Sequence, residues 1–223
     1  MKATVWCIAL LFAGNVPPVF AQHNHPAYQP WSLRFDIGGN IPNNPSLTLY
    51  DGPVTGGDSL DLSAGVQFDF AVGYRMSPWL KLEGEMGFSY NDVNSVGDWS
   101  YRNSSLSQAS FMANLVFEPS RGRLVPFAGV GAGGVLSTLS FGSYYYYYYN
   151  SSDGYGTDFV PAAQAFAGLR YYWMDNASFG LTYRFLVTDS LEWDVNWWDG
   201  RDFTIGVDSI TSHSICLVFS YEF

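Results

Sequence analysis

Leu62-Ser-Ala-Gly-Val-Gln-Phe-Asp-Phe-Ala-Val-Gly-Tyr74 is the stretch on which the fold turns. Leu62, Ala64, Val66, Phe68, Phe70, Val72 and Tyr74 share one parity, while Gly65, Asp69 and Gly73 fall on the other. Successive side chains of a strand point to opposite faces, so this period of two reads as a strand with one apolar face. The next segment repeats it, with Leu80, Leu82, Gly84, Met86, Phe88 and Tyr90 set against Lys81, Glu83 and Glu85. Six more segments follow the rule: Trp31 to Ile37, Ala109 to Phe117, Ala128 to Leu136, Ala163 to Tyr171, Phe179 to Phe185, and Ile215 to Phe223. The alternate positions of these eight strands carry no charge.

Composition narrows the class. The chain has 223 residues, 13% charged and 18% aromatic, with a net charge of -10. Such a balance offers nothing to neutralise a run of phosphates, so nucleic acid is excluded as a partner. The aromatic and β-branched content argues against disorder. Mean hydropathy is -0.01. The longest charge-free run in the body of the chain, Leu124 to Ser152, holds Pro126, several glycines and six consecutive tyrosines, which make poor helix.

The face opposite the apolar one holds Arg34, Asp36, Asp69, Arg75, Lys81, Glu83, Glu85, Arg170, Arg184 and Glu222, together with many glycines. A soluble barrel would turn the bulky apolar face inward, and a membrane barrel would turn it to lipid. An eight-stranded barrel has an interior just wide enough for side chains, which the large apolar set would overfill. The small and charged set fits, and its five basic and five acidic groups balance as a buried network requires. The reading is therefore an all-β, eight-stranded antiparallel up-and-down transmembrane β-barrel.

Connections sort by end. Met76 to Trp79, Glu118 to Arg123 and Met174 to Asn176 are short; Gly39 to Leu60, Asn91 to Leu106, Leu139 to Asp158 and Leu186 to Asp208 are long. Short turns inside and long loops outside are the habit of membrane barrels. The long loops hold Asp51, Asp58, Asp92, Asp98, Asp153, Asp158, Asp189, Glu192, Asp194, Asp199, Asp202 and Asp208 against Arg102 and Arg201, an excess equal to the whole formal charge. Aromatics mark the rims: Trp31, Tyr74, Trp79, Phe117, Trp173 and Tyr221 at the turn end, and Trp99, Tyr101, Tyr144 to Tyr149, Trp193, Trp197 and Trp198 toward the loops.

The N-terminus reads as an export signal over residues 1–21. Lys2 precedes an apolar run, Pro17 and Pro18 end it, and Val19-Phe20-Ala21 places small residues for cleavage between Ala21 and Gln22. Residues 22–30 form a leader and 31–223 the barrel. Cys7 leaves with the signal, so Cys216 has no partner for an internal disulfide.

The final run Ile215-Cys-Leu-Val-Phe-Ser-Tyr-Glu-Phe223 resembles the terminal strand read by the bacterial barrel-assembly machinery, through Ile215, Leu217, Phe219, Tyr221 and Phe223. With Leu124 to Gly133, Ala167 to Tyr172 and Gly180 to Arg184, residues 31–223 are similar to the small outer-membrane β-barrel families that include the outer-membrane protein A barrel, outer-membrane protein X and certain surface antigens. The resemblance implies a bacterial outer membrane, with lipid and lipopolysaccharide around the barrel and the assembly machinery as a partner in biogenesis. No peptidoglycan-binding domain follows the barrel, so a tether to the cell wall is not implied.

Candidate chemistry is sparse. His23 and His25 at the expected mature N-terminus could bind copper or nickel, but read as part of a flexible leader. His213 faces outward, and Ile215 stands where a catalytic serine would share its face, so it reads as a rim histidine. Cys216 points inward as a packing residue. The glycines at 129, 131 and 133 precede no crossover helix and form no nucleotide loop, and the acids of the fourth loop lack EF-hand spacing. The Tyr144 to Tyr149 run is either a sticky contact patch or a rim anchor, with the anchor favoured. No cofactor or metal is expected. The sequence points to a monomeric, non-enzymatic protein with a structural and surface-interaction role, adhesin- or surface-antigen-like, through its four loops. The rivals are a small pore, a lipid-modifying enzyme and a soluble lipocalin-like binder.

Overall fold

The computed structural model describes residues 30–51, 59–97, 99–119, 122–142, 154–197 and 202–223. The signal segment, His23, His25, the Ala21–Gln22 junction and Tyr144 to Tyr149 lie outside them. Among the described residues twelve strands follow in chain order: β1 (Trp31–Pro42), β2 (Leu47–Asp51), β3 (Leu60–Leu62), β4 (Gly65–Ser77), β5 (Leu80–Val96), β6 (Trp99–Phe117), β7 (Leu124–Phe141), β8 (Gly154–Tyr172), β9 (Ala177–Thr188), β10 (Leu191–Trp197), β11 (Asp202–Val207) and β12 (Thr211–Glu222).

Eight of them close the barrel. Neighbours pair antiparallel from β1 through β4, β5, β6, β7, β8 and β9 to β12, and β12 returns to β1 in register Phe35↔Phe219. Closure removes every sheet edge inside the bilayer, where an unpaired backbone group costs several kcal/mol. Along β12, ten residues separate His213 from Phe223. At about 3.3 Å per residue and a tilt near 40°, that spans roughly 25 Å, the height of an apolar band.

The outward positions assigned from the sequence are exposed or part-exposed, with two exceptions. Gly134 lies under the Phe159 ring of β8. Leu62 is buried, because the chain breaks between β3 and β4 and β3 pairs instead with the upper end of β5, Leu62 opposite Val93. The turn-end girdle stands as expected, Trp31 against Tyr74 at 5.0 Å and Trp79 against Phe117 at 5.6 Å between ring centres.

The largest departure from the sequence reading lies in the four long connections. Their described residues are largely strand, and the barrel wall continues into them. Asn91 to Leu106 is the top of a hairpin in which Val96 faces Trp99. β10 and β11 pair with each other, β10 joins the upper end of β8, and β2 adds to β11. A membrane crossing needs only about 9–11 residues of tilted strand. β6 and β8, with 19 residues each, therefore rise well past it. Leu60, Leu62, Val93, Val96, Leu106, Leu139, Phe141, Val160, Leu191, Trp193, Val195, Ile205, Val207 and Ile210 pack into one buried cluster beneath this sheet. Trp193, read from the sequence as a rim aromatic, is fully buried there and donates its indole N–H to the Ser137 carbonyl at 3.2 Å. The reason is period two once more: Leu191, Trp193 and Val195 point in while Glu192 and Asp194 point out.

Candidate functional site

The inward faces of the eight barrel strands bring the charged set into one lumen. Arg34 sits at the centre. Its Nε lies 3.3 Å from Asp36, and its two terminal nitrogens pair with Glu83 and Glu85. Arg184 reaches to Asp36 at 3.1 Å, Asp69 at 3.4 Å and Glu85, and donates to the Gln164 side-chain oxygen Oε1 at 2.8 Å. Glu85 also accepts from Asn114 at 3.1 Å and Gln164 at 2.9 Å. Lys81 links this upper group to a lower one, 3.3 Å from Glu83 and 3.2 Å from Glu118. Arg170 lies 2.7 Å from Glu118. Arg75 bridges Glu118 at 3.0 Å and Glu222 at 2.8 Å, and the Tyr172 hydroxyl donates to Glu222. The ten charged residues singled out in the sequence thus meet in one connected chain of contacts.

Glu118 was missed. The sequence reading placed it in a turn, one residue past Phe117, yet it shares the inward parity of Asn114 and Val116, and it is buried. Burial works against its charge, but Arg170, Lys81 and Arg75 outweigh that penalty and hold its carboxyl well below the usual carboxylate range.

The interior is also less uniformly small and polar than its glycines suggest. Phe127 and Phe166 point inward with Val116 and Val218. The Arg170 guanidinium lies over Phe127 at 4.1 Å from the ring centre, and Arg34 and Arg184 lie at 5.1 and 5.4 Å from that of Phe166. The glycines make room for these rings. A Cβ at Gly129 would strike Phe166, and one at Gly168 would come within 2.8 Å of Phe127 Cε1. Glycine, ring and guanidinium form stacked layers, so the arginines are held flat and in place to meet the carboxylates.

Above the charges runs a neutral polar ladder. Ser214 hydrogen-bonds Gln67 and, at 3.2 Å, Asn40, and Asn40 donates to Asn91 at 3.0 Å. The cap exposes Asp92, Asp189, Glu192, Asp194 and Asp208. Asp158 accepts from the Glu192 backbone N–H at 2.9 Å and ties β8 to β10, a structural use the sequence did not suggest. His213 is exposed on the outer face, 2.6 Å from the Tyr183 hydroxyl. Ile215, Leu217, Phe219, Tyr221 and Phe223 all lie on the outer face, on the strand that seals the barrel. Cys216 is a free, buried thiol beside Gly38. Among the described residues no group of His, Cys, Asp and Glu is arranged to hold a metal.

A closed eight-stranded barrel with an apolar outer band, aromatic girdle and polar core defines a transmembrane β-barrel of the bacterial outer membrane, set in lipid and lipopolysaccharide. The chain belongs to the outer membrane protein beta-barrel domain family, whose model matches residues 8–223. Among solved structures it is similar to OprG from Pseudomonas aeruginosa, at TM-score 0.58 and 12% identity over 87% of this chain and 97% of that one. It is also similar to the outer membrane protein AlkL, at TM-score 0.53 and 23% identity over 94% and 96%. The outer membrane protease OmpT from Escherichia coli matches at TM-score 0.51 and 8% identity over 87% and 97%. These likenesses show a shared fold, one that carries a protease as well as proteins of other kinds. Comparison with curated protein sequences returns no match.

Proposed function

We propose that this barrel is a non-conducting, non-enzymatic display scaffold whose acidic cap is a contact surface for a basic partner outside the cell. The observation that carries the reading is the lumen network. Among the described residues, nine of its eleven ion-pair contacts link different strands or their ends, inside a barrel too narrow to hold both them and a channel. With the lumen filled and roofed, the remaining surface that differs from an ordinary lipid-facing wall is the cap. Its packed core holds the exposed Glu192 and Asp194 at fixed spacing on β10, and Thr204 donates to Asp194 at 2.8 Å from β11. A rigid acidic sheet spends little ordering entropy on contact, and its charge steers a cationic surface toward it.

The test has two arms. Purified protein in planar bilayers should show no steady conductance, and a large steady conductance would establish the pore reading instead. Protein in nanodiscs of neutral lipid should bind immobilised poly-lysine in a salt-sensitive way. The double variant Glu192→Gln, Asp194→Asn should bind it at least several-fold more weakly, and unchanged binding would remove the cap from the proposal.

A further inference from the structure

The upper half of the lumen is out of charge balance, and a cavity lies where the excess sits. Glu83 joins the two sets, since it pairs with both Arg34 and Lys81; with it counted below, the lower set is even, Lys81, Arg75 and Arg170 facing Glu83, Glu118 and Glu222. In the upper set two guanidiniums, Arg34 and Arg184, are shared among three carboxylates, Asp36, Glu85 and Asp69. Asp69 has the weakest hold, at 3.4 Å from Arg184, which is nearer to both of its other partners. Among the described residues its oxygens otherwise accept only from the Gln67 amide, at 2.9 and 3.0 Å. Asp69 is 2% exposed, and an uncompensated charge at such a depth costs several kcal/mol.

A cavity of about 20 Å³ opens beside Asp69; Gln67, Ser89, Gln108, Ser110 and Ser212 form its polar lining, and Phe88, Val135 and Leu186 complete it. That volume holds one small occupant. Asp69, Gly87 and Ser110 stand in one row across β4, β5 and β6. A Cβ at Gly87 would meet both Asp69 Oδ1 and Ser110 Oγ, so the glycine is what lets these two oxygens converge. Gln108 is 6% exposed, and its side-chain nitrogen has no hydrogen-bond partner among the described residues. The amide can turn to present its oxygen instead.

We propose that this cavity is a binding site for one monovalent alkali cation, held by Asp69, Ser110 and Gln108. The donors are a carboxylate, a hydroxyl and an amide oxygen, which select a hard cation. One positive charge cancels the upper excess, whereas a divalent ion would overshoot it. The site ties β4 to β6 through the lumen and is independent of the role given to the cap.

The test uses the full-length mature protein refolded in uncharged detergent. The midpoint of heat modification is compared in sodium, potassium and choline chloride at equal ionic strength and pH 7.5. Sodium or potassium should raise the midpoint above choline, by roughly 3–6 °C for each tenfold increase beyond half-saturation. Asp69→Asn should make the three salts equivalent. Gly87→Ala, which keeps the charge but fills the space, should do the same; if Asp69→Asn does not fold, this variant and the wild-type comparison decide. Equal wild-type midpoints in all three salts would overturn the site. So would a cation effect that survives in Asp69→Asn, because it would belong to the acidic cap. A midpoint that rises on acidification with no preference for sodium or potassium would put a proton in the cation's place.

Discussion

Glu118→Gln is the sharpest probe of the lumen. The carboxylate of Glu118 is 3% exposed and pairs with Arg170 at 2.7 Å, Lys81 at 3.2 Å and Arg75 at 3.0 Å. Neutralising it leaves three cations with Glu83 and Glu222 alone, and Arg170, fully buried, loses its closest anionic partner. Breaking a buried pair by removing one partner costs about 3–5 kcal/mol. For a chain of this size that converts to a fall of roughly 6–20 °C in the midpoint of heat modification. The pH dependence has a definite sign. The folded carboxyl titrates well below its ordinary value, so its contribution is complete above the unfolded carboxylate pKa and is lost only as pH falls through the lower, folded value. The gap between wild type and Glu118→Gln should therefore be constant from neutral pH down to about pH 5 and narrow only in stronger acid. Asp194→Asn, at an exposed acid of the cap, should shift the midpoint by less than about 1 °C. Equal midpoints for wild type and Glu118→Gln would refute the claim that the network bears load.

Other perturbations separate the parts. Gly168→Ala places a Cβ against Phe127 and the Leu181 carbonyl, so it should lower the barrel midpoint through an overpacking cost of about 1–3 kcal/mol. Trp193→Ala should open the cap, at about 3–5 kcal/mol, and expose the β10–β11 hairpin to protease on intact cells while the barrel still shows heat modification. Deleting Phe223, which is half exposed at the end of the sealing strand, should reduce assembled protein in cells far more than it lowers the midpoint of the refolded variant; normal cellular yield would show that the terminal aromatic is not needed for assembly.

The outer wall was legible because lipid imposes one demand on every strand. Each of the eight segments repeats its apolar parity, and a single charge would have stood out. The lumen residues followed from the same parity, but their pairing did not, since Arg184 on β9 meets Glu85 on β5, the opposite strand of the barrel, and no local spacing encodes that. Glu118 escaped because it lies one residue past the end of β6, where the chain reads as a turn, while its backbone N–H still pairs with the Trp79 carbonyl at 2.9 Å and carries the inward parity past the strand. The cap was obscured by charge. Glu192 and Asp194 drew the eye to a solvated loop, although Leu191, Trp193 and Val195 between them spell a strand with one buried face. Phe127 and Phe166 were passed over because the glycines around them suggested a small-residue interior, when each glycine is the space a ring occupies.

The pairing of β1 with β12 joins the first strand of the barrel to the last, and it sets a direction in time. Asp36 and Arg184 are 148 residues apart, Arg75 and Glu222 are 147, and Asn40 and Ser214 are 174. None of these bonds can form until the chain has been brought round and the barrel closed, so the polar core, begun by the pairs among residues 34–118, is completed only at the moment of sealing. Before that moment the chain is an open sheet with its charges still seeking water; afterwards they are shut in and mutually satisfied. The same bonds then work as a clasp across the seam. To part β1 from β12 is to break the Asp36–Arg184, Asn40–Ser214 and Arg75–Glu222 contacts in one step, which makes escape from the folded state slow even where the equilibrium margin is thin.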